Sequence, residues 1–284
     1  MPARLLVTGG SGFVGGRLIT RAGPGDVAAT YLRSIPLGEP ATWYQLDIRD
    51  RAAVLGCVRA TQPAVVIHTA YDKADLDAVI VRGTAHVAAA AQEVGARLVL
   101  ISTDLVFDGR RGAYREEDAP APITEYGRAK AMAERAVLAA GGVVVRTALV
   151  YRVHPPDPTN YALLHTPLRQ GRTPLVFTDE YRCPILVDDL ADALLELAAW
   201  HPSQWALLPA GGVLHIAGPD RLDRYTLAHH LAPHFGIDPA RIQAATLSAS
   251  PLVRPADCSL DTSRARTVLR TRLRSVHDIL RSTG

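Results

Sequence analysis

The sequence predicts an α/β protein, a Rossmann-type doubly wound parallel sheet with a smaller mixed α/β substrate lobe. Three observations carry that prediction. Strand-length apolar runs alternate with helical patterns through the first half, a glycine-rich turn joins the first strand to the first helix, and Pro155, Pro156 and Pro158 end the alternation.

The first strand is expected over residues 4–8 and the first helix over 13–22, with Gly9-Gly10-Ser11-Gly12-Phe13-Val14-Gly15 between them. Gly10, Gly12 and Gly15 fit G-x-G-x-x-G, while Gly9, Gly12 and Gly15 fit G-x-x-G-x-x-G. Either way glycine lets the backbone turn tightly and approach a pyrophosphate, and the following helix N-terminus offers N–H groups to it. The second strand, 27–32, tests cofactor choice, because an acid at its end would bind the ribose 2′-hydroxyl of NAD. The chain instead reads Thr30-Tyr31-Leu32-Arg33-Ser34. Arg33 and Ser34 suit a 2′-phosphate, so NADP(H) is expected over NAD(H). The third strand, 42–46, ends at Asp47-Ile48, where the pair could bracket an adenine or Asp47 could cap the helix starting near Arg51.

Residues 64–69 and 97–102 are almost wholly apolar, as strands covered on both faces are, with a helix expected over 75–94 between them. Ligands of such sheets sit at the strands' carboxyl ends, which places Ser102-Thr103-Asp104 where chemistry occurs. A loop over 106–124 precedes the helix carrying Tyr126-Gly127-Arg128-Ala129-Lys130. Positions i and i+4 share a helix face, so the Tyr126 phenol and the Lys130 ammonium can approach one point. Of the chain's 31 basic residues only Lys73 and Lys130 are lysine, which makes the pairing conspicuous. Further on come a strand at 142–150, a helix at 160–170, a helix at 188–200 and a strand at 213–217. Residues 1–152 and 184–217 are expected to form the dinucleotide-binding domain, and 153–183 with 218–284 the substrate lobe.

Composition narrows the partners. With 48% hydrophobic and 21% charged residues, 284 positions supply ample core. A formal charge of +3 without basic runs leaves no footprint for nucleic acid, and no apolar stretch reaches the roughly 18 residues of a membrane helix. Cys57, Cys183 and Cys258 are odd in number and far apart, which argues against a disulfide framework and a zinc site. No metal is expected, and a cytoplasmic setting is.

In this order the motifs resemble the extended short-chain dehydrogenase/reductase family, most closely its dTDP-4-dehydrorhamnose reductase branch. The resemblance rests on Thr8 to Gly15, Tyr71-Asp72-Lys73-Ala74-Asp75, Ser102-Thr103-Asp104-Leu105-Val106-Phe107-Asp108-Gly109, Tyr126 to Lys130, Asp179 to Pro184 with Asp189-Leu190, and Arg254-Pro255. It implies NADPH-dependent reduction of a 4-keto-6-deoxy nucleotide sugar, with Thr103, Tyr126 and Lys130 catalytic. It implies cofactor contacts from Gly9, Gly12, Phe13, Val14, Thr69, Ala70, Tyr71, Tyr126 and Lys130, beside Arg33, Ser34, Asp47 and Ile48. Substrate contacts fall on Thr103, Asp104, Val106, Asn160, Arg182 and Arg254, and some family members form homodimers. In the expected chemistry Tyr126 gives the proton, Lys130 lowers the phenol's pKa as a nearby charge, and Thr103 holds the substrate oxygen.

Three departures accompany the resemblance: Ile80 stands where the family has a relay asparagine, Asp179 to Ile185 differs from D-Q-x-G-x-P-T at three positions, and Cys258 replaces a serine. Leu105 after Asp104 disfavours 4,6-dehydration. The alternatives are an NADP-binding regulatory subunit without turnover, like the methionine adenosyltransferase beta subunit, and a nucleotide-sugar epimerase.

Overall fold

A computed structural model describes residues 5–36, 38, 40–153, 166–168, 170–205, 208, 212–251 and 253–282. Its centre is a seven-stranded parallel sheet. β1 (Leu5–Thr8) is followed by α1 (Phe13–Ala22), β2 (Val27–Tyr31), β3 (Thr42–Gln45), α2 (Arg51–Thr61) and β4 (Val65–His68). A π-helical segment, Leu76–Gly83, runs directly into α3 (Thr84–Glu93); then come β5 (Arg97–Thr103), α4 (Glu125–Ala139) and β6 (Val143–Thr147). Across the sheet the order is Val213–His215, β6, β5, β4, β1, β2, β3. The order reverses between β1 and β4, and the crevice outside their carboxyl ends is where such sheets bind ligands.

Alternation along each strand feeds two cores. Leu5 and Val7 of β1 pack with α1 and the helix Val187–Ala198 on one face, while Leu6 packs with α2, α3 and α4 on the other. Leu6 is fully buried, and truncation to alanine would cost about 2–5 kcal/mol through lost transfer energy and the cavity left behind. The elements match the sequence reading closely, with one difference of kind. The single helix expected over 75–94 begins as the wider π form, its first turn capped by Asp75, which accepts from the Ala78 N–H.

The remaining residues build smaller sheets beside the carboxyl edge. Ile185–Leu186 pairs in parallel with Val150–Tyr151, Leu222–Asp223 runs antiparallel to Tyr181–Arg182, and Gln243–Ala245 runs parallel to Leu175–Phe177. Tyr151, Leu227, Leu231, Val276 and Ile279 form their separate apolar core. The helix expected over 160–170 falls largely outside the described residues, of which 166–168 are helical. No helix among the described residues is long and apolar enough to cross a membrane.

Candidate active site

A cavity of about 850 Å³ lies along the carboxyl ends of the strands. The glycine turn forms one wall. Gly9 adopts φ 74° and Gly12 donates its N–H to the Gly9 carbonyl at 2.9 Å. A Cβ on Gly15 would sit 2.3 Å from that same carbonyl oxygen, so α1 can approach the turn only with glycine there. Both patterns share Gly12 and Gly15; Gly9, at positive φ, lines the cavity and Gly10 does not, which favours G-x-x-G-x-x-G. Gly9, Ser11, Gly12, Phe13 and Val14 line the cavity, and the cap of α1 at Gly12 has no side chain to satisfy the first N–H groups. Such a cradle fits a pyrophosphate.

Thr30, Tyr31, Leu32 and Arg33 line the wall after β2, and no acid stands at that strand's end. Ser34 is exposed but does not line the cavity, because the chain turns away after Arg33. Asp47 and Ile48 both line it. Asp47 is gripped by Arg49 at 2.6 Å, which lowers its pKa, and Asp50 rather than Asp47 caps α2, accepting from Ala52 and Ala53. Thr69, Ala70 and Tyr71 follow β4 along the same wall.

Thr103, Tyr126 and Lys130 line the same cavity. Thr124 caps α4 by accepting from the Gly127 N–H, which sets the turn that presents Tyr126. The Thr103 hydroxyl donates to Asp104 Oδ1 at 3.0 Å and accepts from the Leu105 N–H at 3.2 Å. Lys130 is buried and donates from Nζ to the Ile101 carbonyl at 2.9 Å. Burial lowers its pKa to about 8, against an upward pull from the Glu134 carboxylate one turn further along α4. That carboxylate accepts from Ser102 at 2.5 Å and pairs with the buried Arg146 at 2.9 Å.

The Tyr126 phenol does not show the expected downward shift. Burial chiefly, then Tyr71 and Asp104, raise its pKa, while the Lys130 ammonium is turned to a β5 carbonyl. The Tyr71 ring lies 6.3 Å from that of Tyr126, Lys130 Nζ lies 5.7 Å from the Tyr71 centroid, and Lys73 Nζ lies 5.6 Å from the Tyr126 centroid. Motif reasoning did not assign Lys73 a role. Its signal was its rarity as the chain's other lysine.

The small-sheet side contributes a charge cluster. Arg182 is buried within 3.3 Å of Asp104 and 3.1 Å of Glu180, and Glu180 also holds Arg254 at 2.8 Å. Asp104 has its pKa raised, because burial outweighs the opposing Arg182. Glu180 and Arg224 also line the cavity, and sequence reasoning missed both. An acid amid arginines is hard to foresee until the fold joins residues 104, 180 and 254.

Two predicted substrate contacts do not reach the cavity or cannot be placed. Val106 is fully buried among Phe107, Tyr114 and Leu260, because the turn after β5 directs it into an apolar cluster. Asn160 lies outside the described residues. Ile80 is a core residue, packed with Ile48 and Val87 rather than holding a polar relay. Among the described residues, no three His, Cys, Asp or Glu side chains are grouped to hold a metal ion.

A phosphate-cradling turn at the switch point of a parallel sheet, with a threonine, a tyrosine and a lysine four residues on, defines an extended short-chain dehydrogenase/reductase. A family model described as the RmlD substrate binding domain matches residues 3–283, and the chain belongs to that family. It is 36% identical to a dTDP-4-dehydrorhamnose reductase of Streptomyces griseus, over 92% of this chain and 86% of the relative. The crystal structure of a dTDP-4-dehydrorhamnose reductase from Bacillus anthracis in complex with NADP superposes with a TM-score of 0.75 at 25% identity, covering 99% of this chain and 97% of that one. Methionine adenosyltransferase 2 subunit beta of Pongo abelii is 28% identical over 93% of this chain and 82% of its own.

Proposed function

We propose that this protein is an NADPH-dependent reductase of a 4-keto-6-deoxy nucleotide sugar, as its dTDP-4-dehydrorhamnose reductase relatives are named for. The observation that carries the reading is that Thr103, Tyr126 and Lys130 line one cavity with the glycine cradle. The cradle fits a dinucleotide on the chain's own geometry, since Gly9 and Gly15 leave no room for a Cβ. Arg33, with no acid at the end of β2, suits the 2′-phosphate of NADP(H). Residues 1–152 and 184–217 hold the cofactor in this reading, and 153–183 with 218–284 hold the sugar nucleotide. A homodimer belongs to the same proposal.

A dinucleotide with its pyrophosphate in the cradle would supply the hydride from its nicotinamide. The protein's task is to orient the ketone and protonate its oxygen. Thr103, its oxygen held by the Leu105 N–H, turns its one hydroxyl hydrogen from Asp104 to that oxygen and sets its distance from Tyr126. Tyr126 gives the proton as negative charge develops there. Lys130, anchored to Ile101, ties the helix that carries Tyr126 to the strand that ends at Thr103. Arg182, Arg224 and Arg254 around Glu180 line the same cavity and, in this reading, meet the anionic sugar nucleotide.

The likeness to methionine adenosyltransferase 2 subunit beta, together with Ile80 in place of the relay asparagine, gives the regulatory reading its specific support. The assembled trio favours turnover. Mixing the protein with NADPH and a panel of dTDP-4-keto-6-deoxy sugars separates the two. Oxidation of NADPH with at least one sugar supports the reductase; tight NADPH binding without oxidation by any supports a binding subunit.

A further inference from the structure

Both lysines of this arginine-rich chain stand against tyrosine rings at one site. Lys73, in the loop after β4, lines the cavity with its ammonium 5.6 Å from the Tyr126 centroid. The cavity's other cations are largely committed: Arg49 to Asp47, Arg182 to Asp104 and Glu180, Arg254 to Glu180, and Lys130 to the Ile101 carbonyl. Among the described residues no carboxylate lies within ion-pair reach of Lys73, which is exposed and holds its ammonium over the Tyr126 ring.

We propose that Lys73 is a positioning residue for the proton transfer, holding a positive charge over the Tyr126 ring that stabilises the phenolate left when the proton departs. The inference rests on Tyr126 being the proton donor. In that step the Tyr126 O–H bond breaks and the proton goes to the substrate oxygen. The carbonyl π pair forms the new O–H bond, the cofactor's hydride reduces the carbonyl carbon, and the negative charge remains on the phenol oxygen.

A cation is drawn to the electron-rich face of an aromatic ring, and more strongly when that ring carries phenolate charge. The interaction therefore grows during the step, and only an interaction that grows lowers the barrier. The other groups facing Tyr126 do not supply it. Tyr71 and Asp104 disfavour the phenolate, and the Lys130 ammonium is held by Ile101 with the Tyr71 ring against it. Lysine suits the place because its charge is compact and its stem flexible, so it can follow the ring.

The test is the split between kcat and KM in Lys73→Met and Lys73→Gln, with Lys73→Arg as the charge-retaining control. Tyr126→Phe, NADPH affinity by fluorescence titration and thermal unfolding are measured alongside. Lys73→Met and Lys73→Gln should lower kcat by roughly two- to fivefold, the size of a cation–π interaction at an exposed lysine. KM for the sugar nucleotide, NADPH affinity and melting temperature should stay at parent values, and Lys73→Arg should recover most of kcat. A rise in KM with kcat intact would make Lys73 a contact to substrate anion and overturn the proposal. Loss of NADPH affinity, or parent kcat in both neutral variants, would overturn it too. If Tyr126→Phe is inactive while the Lys73 variants are parent-like, only this inference falls; a fully active Tyr126→Phe removes the proton-donor reading and this inference with it.

Discussion

Lys130 donates its Nζ hydrogen bond to the Ile101 carbonyl oxygen at 2.9 Å, tying α4, which presents Tyr126, to β5, which ends at Thr103. One side chain thus fixes the spacing of the two groups proposed to meet the substrate oxygen. Lys130→Met removes that tie and leaves a buried carbonyl unpaired, at a cost of about 1–3 kcal/mol. Relief of the buried charge offsets that cost, so the expected result is weaker NADPH binding and a kcat reduced by at least about a hundredfold. Steady-state kinetics and fluorescence titration check both.

The same lysine gives a pH signature. Its pKa falls from 10.5 to about 8 on burial, so the folded state loses the proton before the unfolded state does. Below about pH 8 both states carry the charge and the burial penalty is fully present; it is relieved as pH rises from about 8 toward 10.5. The stability of the parent relative to Lys130→Met should therefore rise across that window, while the activity that needs the ammonium declines. Denaturant unfolding of both proteins between pH 7 and pH 10, beside the kcat/KM profile, gives the comparison. A stability difference independent of pH contradicts it.

Arg33 lines the wall after β2 where no acid stands. Arg33→Ala should weaken NADPH binding by about tenfold or more, as loss of a charge-assisted phosphate contact does, and leave NADH binding nearly unchanged. Equal losses for the two cofactors contradict the 2′-phosphate assignment.

Glu180 holds Arg254 and Arg182 together and is itself nearly fully buried. Glu180→Gln keeps the shape and removes the charge, so the two guanidiniums lose their common anchor. KM for the sugar nucleotide should rise about tenfold, in line with breaking a buried ion pair, with NADPH affinity unchanged. A parent KM contradicts a substrate role for this cluster.

Much of this was legible in the chain because it depends on local rules. Apolar runs of strand length, a glycine turn before a helix, and Tyr126 four residues before Lys130 each report on neighbours in sequence. The glycine pattern was ambiguous until the path of the turn placed Gly9, and not Gly10, on the cavity wall. Glu180 was missed because its partners come from residues 182 and 254, brought together by the Tyr181–Arg182 strand and the Tyr181↔Asp257 bridge. Val106 was misplaced because a motif names positions without saying which way a turn sends each side chain. The expected lowering of the Tyr126 pKa failed for an energetic reason: spacing allows two groups to approach, whereas burial and hydrogen bonding decide where the ammonium goes.

The central claim is that Tyr126 delivers the proton in a ketone reduction. It is tested most directly by Tyr126→Phe, which keeps the ring and removes only the hydroxyl. Single-turnover oxidation of NADPH with a dTDP-4-keto-6-deoxy sugar that the parent turns over should slow by at least about a hundredfold, with the NADPH dissociation constant within about twofold of the parent. Oxidation at the parent rate would contradict the account.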